Sequence, residues 1–484
     1  MLINIFLKMS NIRFIYLIEP LANFIPYVPK PKIPIKSKEK LVWTGMVLFI
    51  YLIYSQIPLY GIYKTRDADP LHYMRVILAS SRGTLSELGI SPIITSSFLL
   101  GVLKAIRVIS VDMSVKEDKI RFEQTMKFLA ILITFGQAIA YVIGGMYGPV
   151  NLIGYFNSIL LVAQLVIGGI IIIILDEVLS QKYGLISGIS LFVATNISEN
   201  FFWKCFSPFT ITNQRGIEYE GAVIAFFHFL ITKKSKYQAL SLSFFRQSAP
   251  NLSQVLVTIL IILLVIYLWR FKIEIKLCNK KMPGATFPHP IKLFYSSTTP
   301  VIIMNTFISN IYVFSQILFQ RYPSSLFIKL LGTWTNKDGE QIAIGGLAYF
   351  LTPPKNFSDF ITHPLRSIVY VLIILYISGL FTQLMVNLMG KGAIDMARGL
   401  RHEGFFIEGI KENEESIYKR LQRIIPTVSF LSGMLIAALQ ILADLIGAIG
   451  SGTGILLLVS TILEAFEDNE RKNKKNNVNI FHEE

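Results

Sequence analysis

Long stretches without a charged residue recur along the chain, separated by segments that contain charged residues. About 20 apolar residues are needed to cross the hydrocarbon core of a bilayer. Stretches free of Asp, Glu, Lys and Arg, apart from Asp444 in the last one, cover residues 41–63, 88–103, 128–175, 183–198, 247–269, 293–320, 367–390 and 424–463. The third and the last are long enough for two helices each, with turns predicted at 144–149 and 447–454. The pattern therefore predicts ten membrane-spanning helices.

Two of these stretches, 88–103 and 183–198, are short and mix Ser, Thr, Asn and Gly with apolar residues. That mixture is typical of helices that line a cavity or pack closely on other helices. Residues 67–80 are too few to span a bilayer and too apolar for a free loop, and Asp69 and Pro70 would begin a short helix there. This segment is either an interfacial helix or a re-entrant segment folded into a cavity.

The two ends of the chain differ from the spans. Residues 11–25 place apolar side chains at helical spacing, which predicts an amphipathic helix on the membrane surface, and residues 29–40 form a linker. Residues 467–484 are expected to be a polar, disordered tail. Asp444 is interpreted as a helix-end aspartate. His228 lies in an apolar stretch too short to cross, residues 221–232, and is interpreted as a packed histidine.

Composition narrows the class of protein. Of the 484 residues, 52% are hydrophobic and 16% are charged, and this excludes a typical soluble enzyme and a disordered chain. The two cysteines, Cys205 and Cys278, exclude a disulfide framework and have no metal-type spacing. The glycine-rich run 450–454 lacks the Lys and Ser or Thr of a phosphate-binding loop. We therefore expect no enzyme activity and no cofactor.

The net charge of +15 is distributed unevenly over the predicted loops. Two thirds of the 46 lysines and arginines lie on the side of the two termini, which includes the loops 104–127, 270–292 and 391–423. The positive-inside rule therefore predicts that both termini are cytosolic. The loops 204–246 and 321–366 would lie on the opposite side, where Asn356 is a possible glycosylation acceptor.

Several long motifs resemble one known family. They are ADPLHYMRVILAS at 68–80, RGTLSELGISP at 82–92, YGLISGISLFVATNI at 183–197, PIKLFY at 290–295, GGLAYFLTPP at 345–354 and LADLIGAIGSGTGILL at 442–457. In this order they resemble the eukaryotic alpha subunit of the SecY-type protein translocon, over residues 9–466. Met9 resembles the usual family start, so residues 1–8 are expected to be either an extension or the result of a misassigned start.

The resemblance implies an all-α polytopic membrane protein with two pseudo-symmetric halves, residues 41–204 and 247–466, around a central pore. A ring of apolar side chains would close the pore, because aliphatic contacts lack direction and a narrow apolar constriction resists wetting. By motif position the ring is Ile90, Ile94, Ile189, Val193, Ile302 and Leu457. The plug would be the segment 67–80, with Asp69, Pro70, Leu71, Met74, Ile77 and Leu78.

The resemblance also implies a lateral gate, with a polar cluster of Thr95, Gln137 and Asn310, and ribosome-facing loops with Lys280, Lys281 and Lys411. The implied function is a channel in the endoplasmic reticulum membrane that passes nascent polypeptides across the bilayer or sideways into it. The implied partners are the ribosome, signal sequences, membrane lipid and small single-span beta and gamma subunits. Two alternatives are a small-solute secondary transporter, which would need a polar midplane pocket, and a receptor or scaffold without a pore.

Overall fold

The computed structural model describes residues 27–33, 35–62, 75, 77–106, 108–109, 116–148, 150–213, 216–233, 235–246, 249–279, 282–295, 299–337, 340–354, 357–402, 404–409 and 413–483. Each of the ten predicted spans contains a helix. In chain order, α1 to α10 are Ser37–Gln56, Ser91–Ala105, Lys116–Ile143, Tyr155–Val178, Gly188–Phe206, Leu252–Trp269, Thr299–Arg321, Pro364–Leu388, Glu414–Ile446 and Gly452–Glu483. Within the described residues, seven of these helices (all except α1, α5 and α10) are long and apolar enough to cross a membrane. The number of ten crossings stays a prediction.

Shorter elements fill the connections. The short helices are Leu85–Leu88, Val150–Ile153, Ala222–Thr232, Lys236–Phe244, Leu326–Leu331, Leu347–Leu351, Phe357–Thr362 and Ala393–His402, with a π-helical turn at Leu179–Tyr183. The strands β1 to β7 are Thr210–Asn213, Gly216–Tyr219, Lys272–Asn279, Met282–Lys292, Thr333–Lys337, Glu340–Gly345 and Phe405–Ile407. β1 pairs with β2, β5 pairs with β6, and the third sheet has the order β4-β3-β7.

Glycines separate the helices at both turns predicted inside the long apolar stretches. Between α3 and α4, Gly145 and Gly148 have φ angles of +73° and +115°, which glycine adopts without steric cost. Gly447 ends α9 in the left-handed conformation. The Oδ1 atom of Asp444 accepts a hydrogen bond of 2.7 Å from the main-chain N–H of Gly452, at the start of α10. Both turns are confirmed, and Asp444 is a helix-end residue.

The chain forms two contact units. The first comprises residues 1–193 and 305–349. Its apolar core contains Ala138 of α3, Leu161 and Leu165 of α4 and Val313 of α7, all buried. The β5–β6 hairpin belongs to this unit, because the Trp334 ring packs on the α7 helix and its Nε1–H donates to a serine hydroxyl there at 3.1 Å.

The second unit comprises residues 194–304 and 350–484. Its core is built by α6, α9 and α10, with Ile261, Ile436 and Ile455 buried among them. The Trp269 ring at the end of α6 stacks on Phe294 with ring centroids 5.4 Å apart. This unit also contains the sheet β4-β3-β7 and the short helices between β2 and α6. The predicted division into two halves of five helices stays a prediction.

The last helix, α10, extends beyond the predicted span, through residues 467–483. No glycine or proline follows Gly454, and the Glu, Lys and Arg residues of the tail are good helix formers. The carboxylate of Glu467 fixes the helix to its own unit. It accepts a hydrogen bond of 2.8 Å from the Trp269 Nε1–H and forms an ion pair with the Lys292 ammonium.

Candidate pore, gate and plug residues

The four predicted ring residues of the first unit lie on α2 and α5. Ile90 immediately precedes α2 and is fully buried, and Ile94, one turn later, is 2% exposed. On α5, Val193 is fully buried, whereas Ile189, near the start of the helix, is half-buried. The short α2 stretch therefore turns its branched aliphatic side chains inwards, as its mixed composition predicted.

In the second unit, Ile302 lies in the first turn of α7 and Leu457 lies on α10, and each is 2% exposed. Gly454, one turn before Leu457, packs closely on the side chain of Ile197, which lies 3.2 Å from the position a Cβ would take. Five of the six candidate side chains are thus buried. Their convergence into one ring stays a prediction.

The predicted polar cluster has a defined geometry inside the first unit. The Nε2 amide of Gln137 on α3 donates to Oδ1 of Asn310 on α7, at 3.3 Å. The same amide donates to the hydroxyl of Ser91 on α2, at 3.2 Å. The Thr95 hydroxyl donates to the main-chain carbonyl oxygen of Ser91. Ser91 therefore joins the cluster, and its position four residues before Thr95 on one helix face is the sequence signal that could have identified it.

The cluster is uncharged and incompletely satisfied. The Oε1 atom of Gln137 is buried without a hydrogen-bond partner among the described residues. Hydrogen bonds between membrane helices contribute about 0.6 kcal/mol each, and roughly 2 kcal/mol at most. An aromatic contact between Phe98 of α2 and Phe307 of α7, with ring centroids 6.2 Å apart, accompanies them. The hydrogen bonds that join α3 to α2 and to α7 can consequently be broken at low cost.

The end of the plug segment, Arg75 and residues 77–80, is here called the plug exit. It is anchored tightly to the start of α2. Asp69, Pro70, Leu71 and Met74 lie outside the described residues, whereas Ile77 and Leu78 are described and buried. The main-chain N–H of Ile90 donates to the Leu78 carbonyl oxygen at 3.0 Å. Gly89 has φ +54°, and a Cβ there would lie 2.1 Å from the same oxygen. The plug exit therefore ends directly against the first predicted ring residue.

A buried ion pair also holds the plug exit. The guanidinium of Arg75 lies 2.6 Å from the Glu87 carboxylate, and both side chains are almost fully buried. Glu87 also accepts a hydrogen bond from the main-chain N–H of Gly83. The Tyr51 hydroxyl of α1 donates to the Ala79 carbonyl oxygen at 3.2 Å, and its ring stacks on Phe192 of α5. Sequence reasoning missed this pair, since neither residue lies in an apolar span.

The two predicted ribosome-facing loops are joined by the sheet β4-β3-β7. Lys280, Lys281 and Lys411 lie outside the described residues. β3 and β4 form an antiparallel hairpin from the first loop, and β7 of the second loop pairs with β3 at Leu277 and Ile407. The alternation of Ile273, Ile275 and Leu277 with charged residues is the signal that could have predicted β3.

Exposed basic side chains on and beside this sheet are described. Lys276 lies 4.0 Å from Glu408, and Arg401 lies 2.6 Å from Glu414. More than half of each basic side chain is exposed. Exposed ion pairs contribute about 0–1 kcal/mol, so these cations remain available to an anionic partner. Among the described residues, no group of three or more His, Cys, Asp or Glu could hold a metal ion.

Two family models match adjacent parts of the chain. The SecY model matches residues 84–466, and the model described as the plug domain of Sec61p matches residues 49–83. The protein transport protein Sec61 subunit alpha of Pyrenomonas salina is 44% identical over 463 residues, which are 95% of this chain and 93% of that protein. The corresponding protein of Wickerhamomyces anomalus is 42% identical over 461 residues, 95% of this chain and 96% of that protein.

Solved structures agree with these matches. "The structure of a protein conducting channel" has a TM-score of 0.75 at 30% identity, covering 94% of this chain and 96% of that chain. "Sec61 in the Canine ribosome-channel complex from the endoplasmic reticulum" has a TM-score of 0.72 at 30% identity, with the same coverage. The predicted fold class, an all-α polytopic membrane protein, is confirmed. The resemblance of the motifs is confirmed as well, and the chain belongs to the SecY family.

Proposed function

We propose that this chain is the channel-forming subunit of a protein translocon in the endoplasmic reticulum membrane. It conducts nascent secretory polypeptides across the bilayer and releases hydrophobic segments laterally. The proposal depends on one observation: the model of the plug domain of Sec61p and the SecY model match the chain consecutively, at 49–83 and 84–466. The structure agrees with this order, since the main-chain N–H of Ile90 donates to the carbonyl oxygen of Leu78 in the plug exit. The chain itself is not an enzyme, so the driving force comes from the translating ribosome or accessory motors.

The buried aliphatic side chains support a passage for chains of any sequence. Ile90, Ile94, Val193, Ile302 and Leu457 would surround a moving polypeptide through dispersion contacts, which do not depend on its side-chain chemistry. A hydrophobic signal helix would replace the weak Gln137–Asn310 contact between α3 and α7 and so open the gate sideways.

Site-specific crosslinking tests the channel. Cysteines replace Ile94 and Ile302 in a C205A/C278S background, and the reconstituted chain receives a ribosome with a stalled secretory polypeptide. Both cysteines should crosslink to the nascent chain. A cysteine at Leu263, a 62% exposed residue of α6, is the matched control and should not. Equal crosslinking at all three positions, or none, contradicts a central polypeptide path, and solute uptake without crosslinking would favour the secondary transporter.

We further propose that both termini face the cytosol and that Lys280, Lys281 and Lys411 contact the ribosome, with small beta and gamma subunits completing the complex. A relative is described within a ribosome-channel complex. Lysines meet RNA phosphates mostly without reading sequence. In co-sedimentation, K280Q/K281Q/K411Q should weaken ribosome binding at low salt more than at high salt, and K272Q, on the same hairpin, should not.

The cytosolic orientation is tested separately. An impermeant maleimide should label a cysteine at position 276 from outside sealed vesicles.

A further inference from the structure

The short helices Ala222–Thr232 and Lys236–Phe244, here called the helical hairpin, present an apolar face that the channel function does not use. The first helix contains almost only apolar residues, yet its 11 residues extend about 16 Å, too little to cross a bilayer. Short helices with one lipid-facing side typically lie in the plane of the membrane interface. The role of the hairpin depends on the contacts that hold it in position and on the molecule that covers its outer face.

Arg246 joins the hairpin to the residues just before α6 by hydrogen bonds. Its Nη1 donates to the carbonyl oxygen of Tyr219 at 2.7 Å and its Nη2 to that of Glu220 at 2.6 Å. Its Nε donates to the carbonyl oxygen of Pro250 at 2.7 Å, two residues before α6 begins. Burial lowers the pKa of the guanidinium, and the charges of Glu218 and Glu220 oppose that shift.

A second contact ties the hairpin to the membrane helix itself. The hydroxyl of Ser253, in the first turn of α6, donates to the carbonyl oxygen of Phe244 at 3.1 Å. The 18 residues of α6 extend about 27 Å, close to the thickness of the hydrocarbon core. Its first turn therefore lies at a membrane surface, and the hairpin, fixed to that turn, lies at the same level.

The inner face of the hairpin is fully used. Ala225 and Phe229 of the first helix and Ala239 of the second are buried against one another and against Tyr219. His228 packs edge-on to the Tyr219 ring at 5.1 Å, which agrees with its interpretation as a packed histidine. These contacts fix which side of the first helix points outwards.

The outer face is apolar and is not covered by the described residues. Phe227, Leu230 and Ile231 are 58%, 36% and 84% exposed, and their side chains carry no hydrogen-bond donor or acceptor. The exposed residues Lys233 and Lys236 follow the first helix. Lysines that flank an apolar face are typical of interfacial helices, since their ammonium groups reach the lipid headgroups.

Neighbouring residues of the same unit place the membrane interface at this level. At the end of α5, Trp203 packs on Phe209 with ring centroids 5.4 Å apart, and both are exposed. Tryptophans concentrate at the boundary between lipid and water. On α6 the exposed aliphatic side chains begin at Leu256, one turn after Ser253. The outer face of the hairpin therefore lies at the depth in the membrane at which the exposed aliphatic surface of α6 begins.

We propose that the helical hairpin is a membrane-interface anchor, whose Phe227, Leu230 and Ile231 insert among the acyl chains of the bilayer while Lys233 and Lys236 contact the headgroups. A protein interface carries about one hydrogen bond per 100–200 Å², and the three inserted side chains offer none, so lipid is the favoured occupant. The inference rests on the membrane embedding of the proposed function, but not on translocation.

Spin-label accessibility tests the anchor. The full chain, in a C205A/C278S background, carries a nitroxide at F227C, I231C or E274C and is reconstituted in phosphatidylcholine–phosphatidylserine vesicles. The two hairpin labels should be more accessible to oxygen than to a water-soluble nickel chelate. The E274C label should show the opposite ratio, because Glu274 is an exposed charged residue of β3.

Each other outcome contradicts the anchor. Greater accessibility to the nickel chelate at 227 and 231 would place the hairpin in water. Shielding from both reagents would mean that protein, of another copy or of a partner, covers the face. Because the measurement needs no ribosome or nascent chain, its failure is distinguishable from failure of the proposed channel, which the crosslinking experiment tests separately.

Discussion

Two regions beside the first turn of α2 are held by opposite kinds of contact. The plug exit is fixed by the buried Arg75–Glu87 ion pair and by the close approach of Gly89 to the Leu78 carbonyl. The polar cluster is held by uncharged hydrogen bonds of 3.2–3.3 Å from Gln137. Removing one partner of a buried ion pair costs about 3–5 kcal/mol, whereas an interhelical hydrogen bond in a membrane contributes about 0.6 kcal/mol. One helix thus has a firmly anchored start and a face that separates easily.

The proposed function explains why the plug exit is held firmly and the polar cluster weakly. A gate must yield to a hydrophobic segment that supplies only apolar contacts, so its own contacts have to be weak. A plug must return to the same position after each passage, which requires an attachment point that does not move. The following substitutions would break or sharpen this contrast, beginning with the largest expected effect.

Glu87→Gln should destabilise the first unit by about 3 kcal/mol, since it removes the carboxylate that pairs with the buried Arg75 guanidinium. Thermal unfolding of the purified protein measures this loss. The double variant R75Q/E87Q should recover part of the stability, because both charges of this buried pair are then removed. Glu408→Gln, which breaks the exposed pair with Lys276, is the control and should cost less than about 0.5 kcal/mol. Equal effects of E87Q and E408Q would remove the distinction between the two regions.

Gly89→Ala should cost about 2 kcal/mol, because the new Cβ meets the Leu78 carbonyl oxygen and the residue has a positive φ. The plug exit must shift away from Ile90, so the resting channel should also admit secretory proteins with defective signals. Export of such a reporter, in cells that depend on this chain, measures the effect. Gly45→Ala, where a Cβ meets nothing within 4 Å, should leave export unchanged. Normal rejection of the defective signal by the Gly89 variant would refute a fixed exit.

Asn310→Leu and Gln137→Leu should each change how hydrophobic a signal must be to open the channel, because they remove the hydrogen bond between α3 and α7. At about 0.6 kcal/mol the expected change in opening is roughly threefold. A series of signals with increasing leucine content measures the threshold. Asn157→Leu is the matched control, since among the described residues this amide donates to a carbonyl of the preceding turn of its own region and not to another span. An unchanged threshold in both gate variants would exclude the cluster as the gate.

The sequence predicted the helices better than it predicted the anchored contacts. A bilayer requires long uncharged stretches, so the positions of α1 to α10 could be found from the absence of charged residues alone. The glycines of 144–149 indicated the turn between α3 and α4. The Arg75–Glu87 pair could not be predicted, because it depends on how the plug exit folds back onto the residues before α2. β3 lies in the predicted loop 270–292, where the sequence analysis predicted no strand although the alternating pattern is present.

The polar cluster was predicted only in part. Gln137 and Asn310 came from the resemblance, and their hydrogen bond is present. Ser91 was missed because a serine before a proline is commonly a helix start, and only the spatial proximity of α2 and α3 shows that its hydroxyl accepts from Gln137. The helix α10 extends into the predicted polar tail, which contains no glycine or proline.

Ser91→Ala should shift the signal threshold in the same direction as Asn310→Leu, but by less, because it removes one hydroxyl acceptor and leaves the carbonyl that Thr95 uses. The Gln137 amide has two hydrogens and can serve both acceptors, so the shifts of S91A and N310L should add in the double variant. In a Gln137→Leu background, neither substitution should have a further effect, because the common donor is gone. The same signal series measures all of these variants. A full S91A shift that persists in that background would show that Ser91 acts through the start of α2 itself, and the contrast between a fixed start and a weak face of this helix would have to be given up.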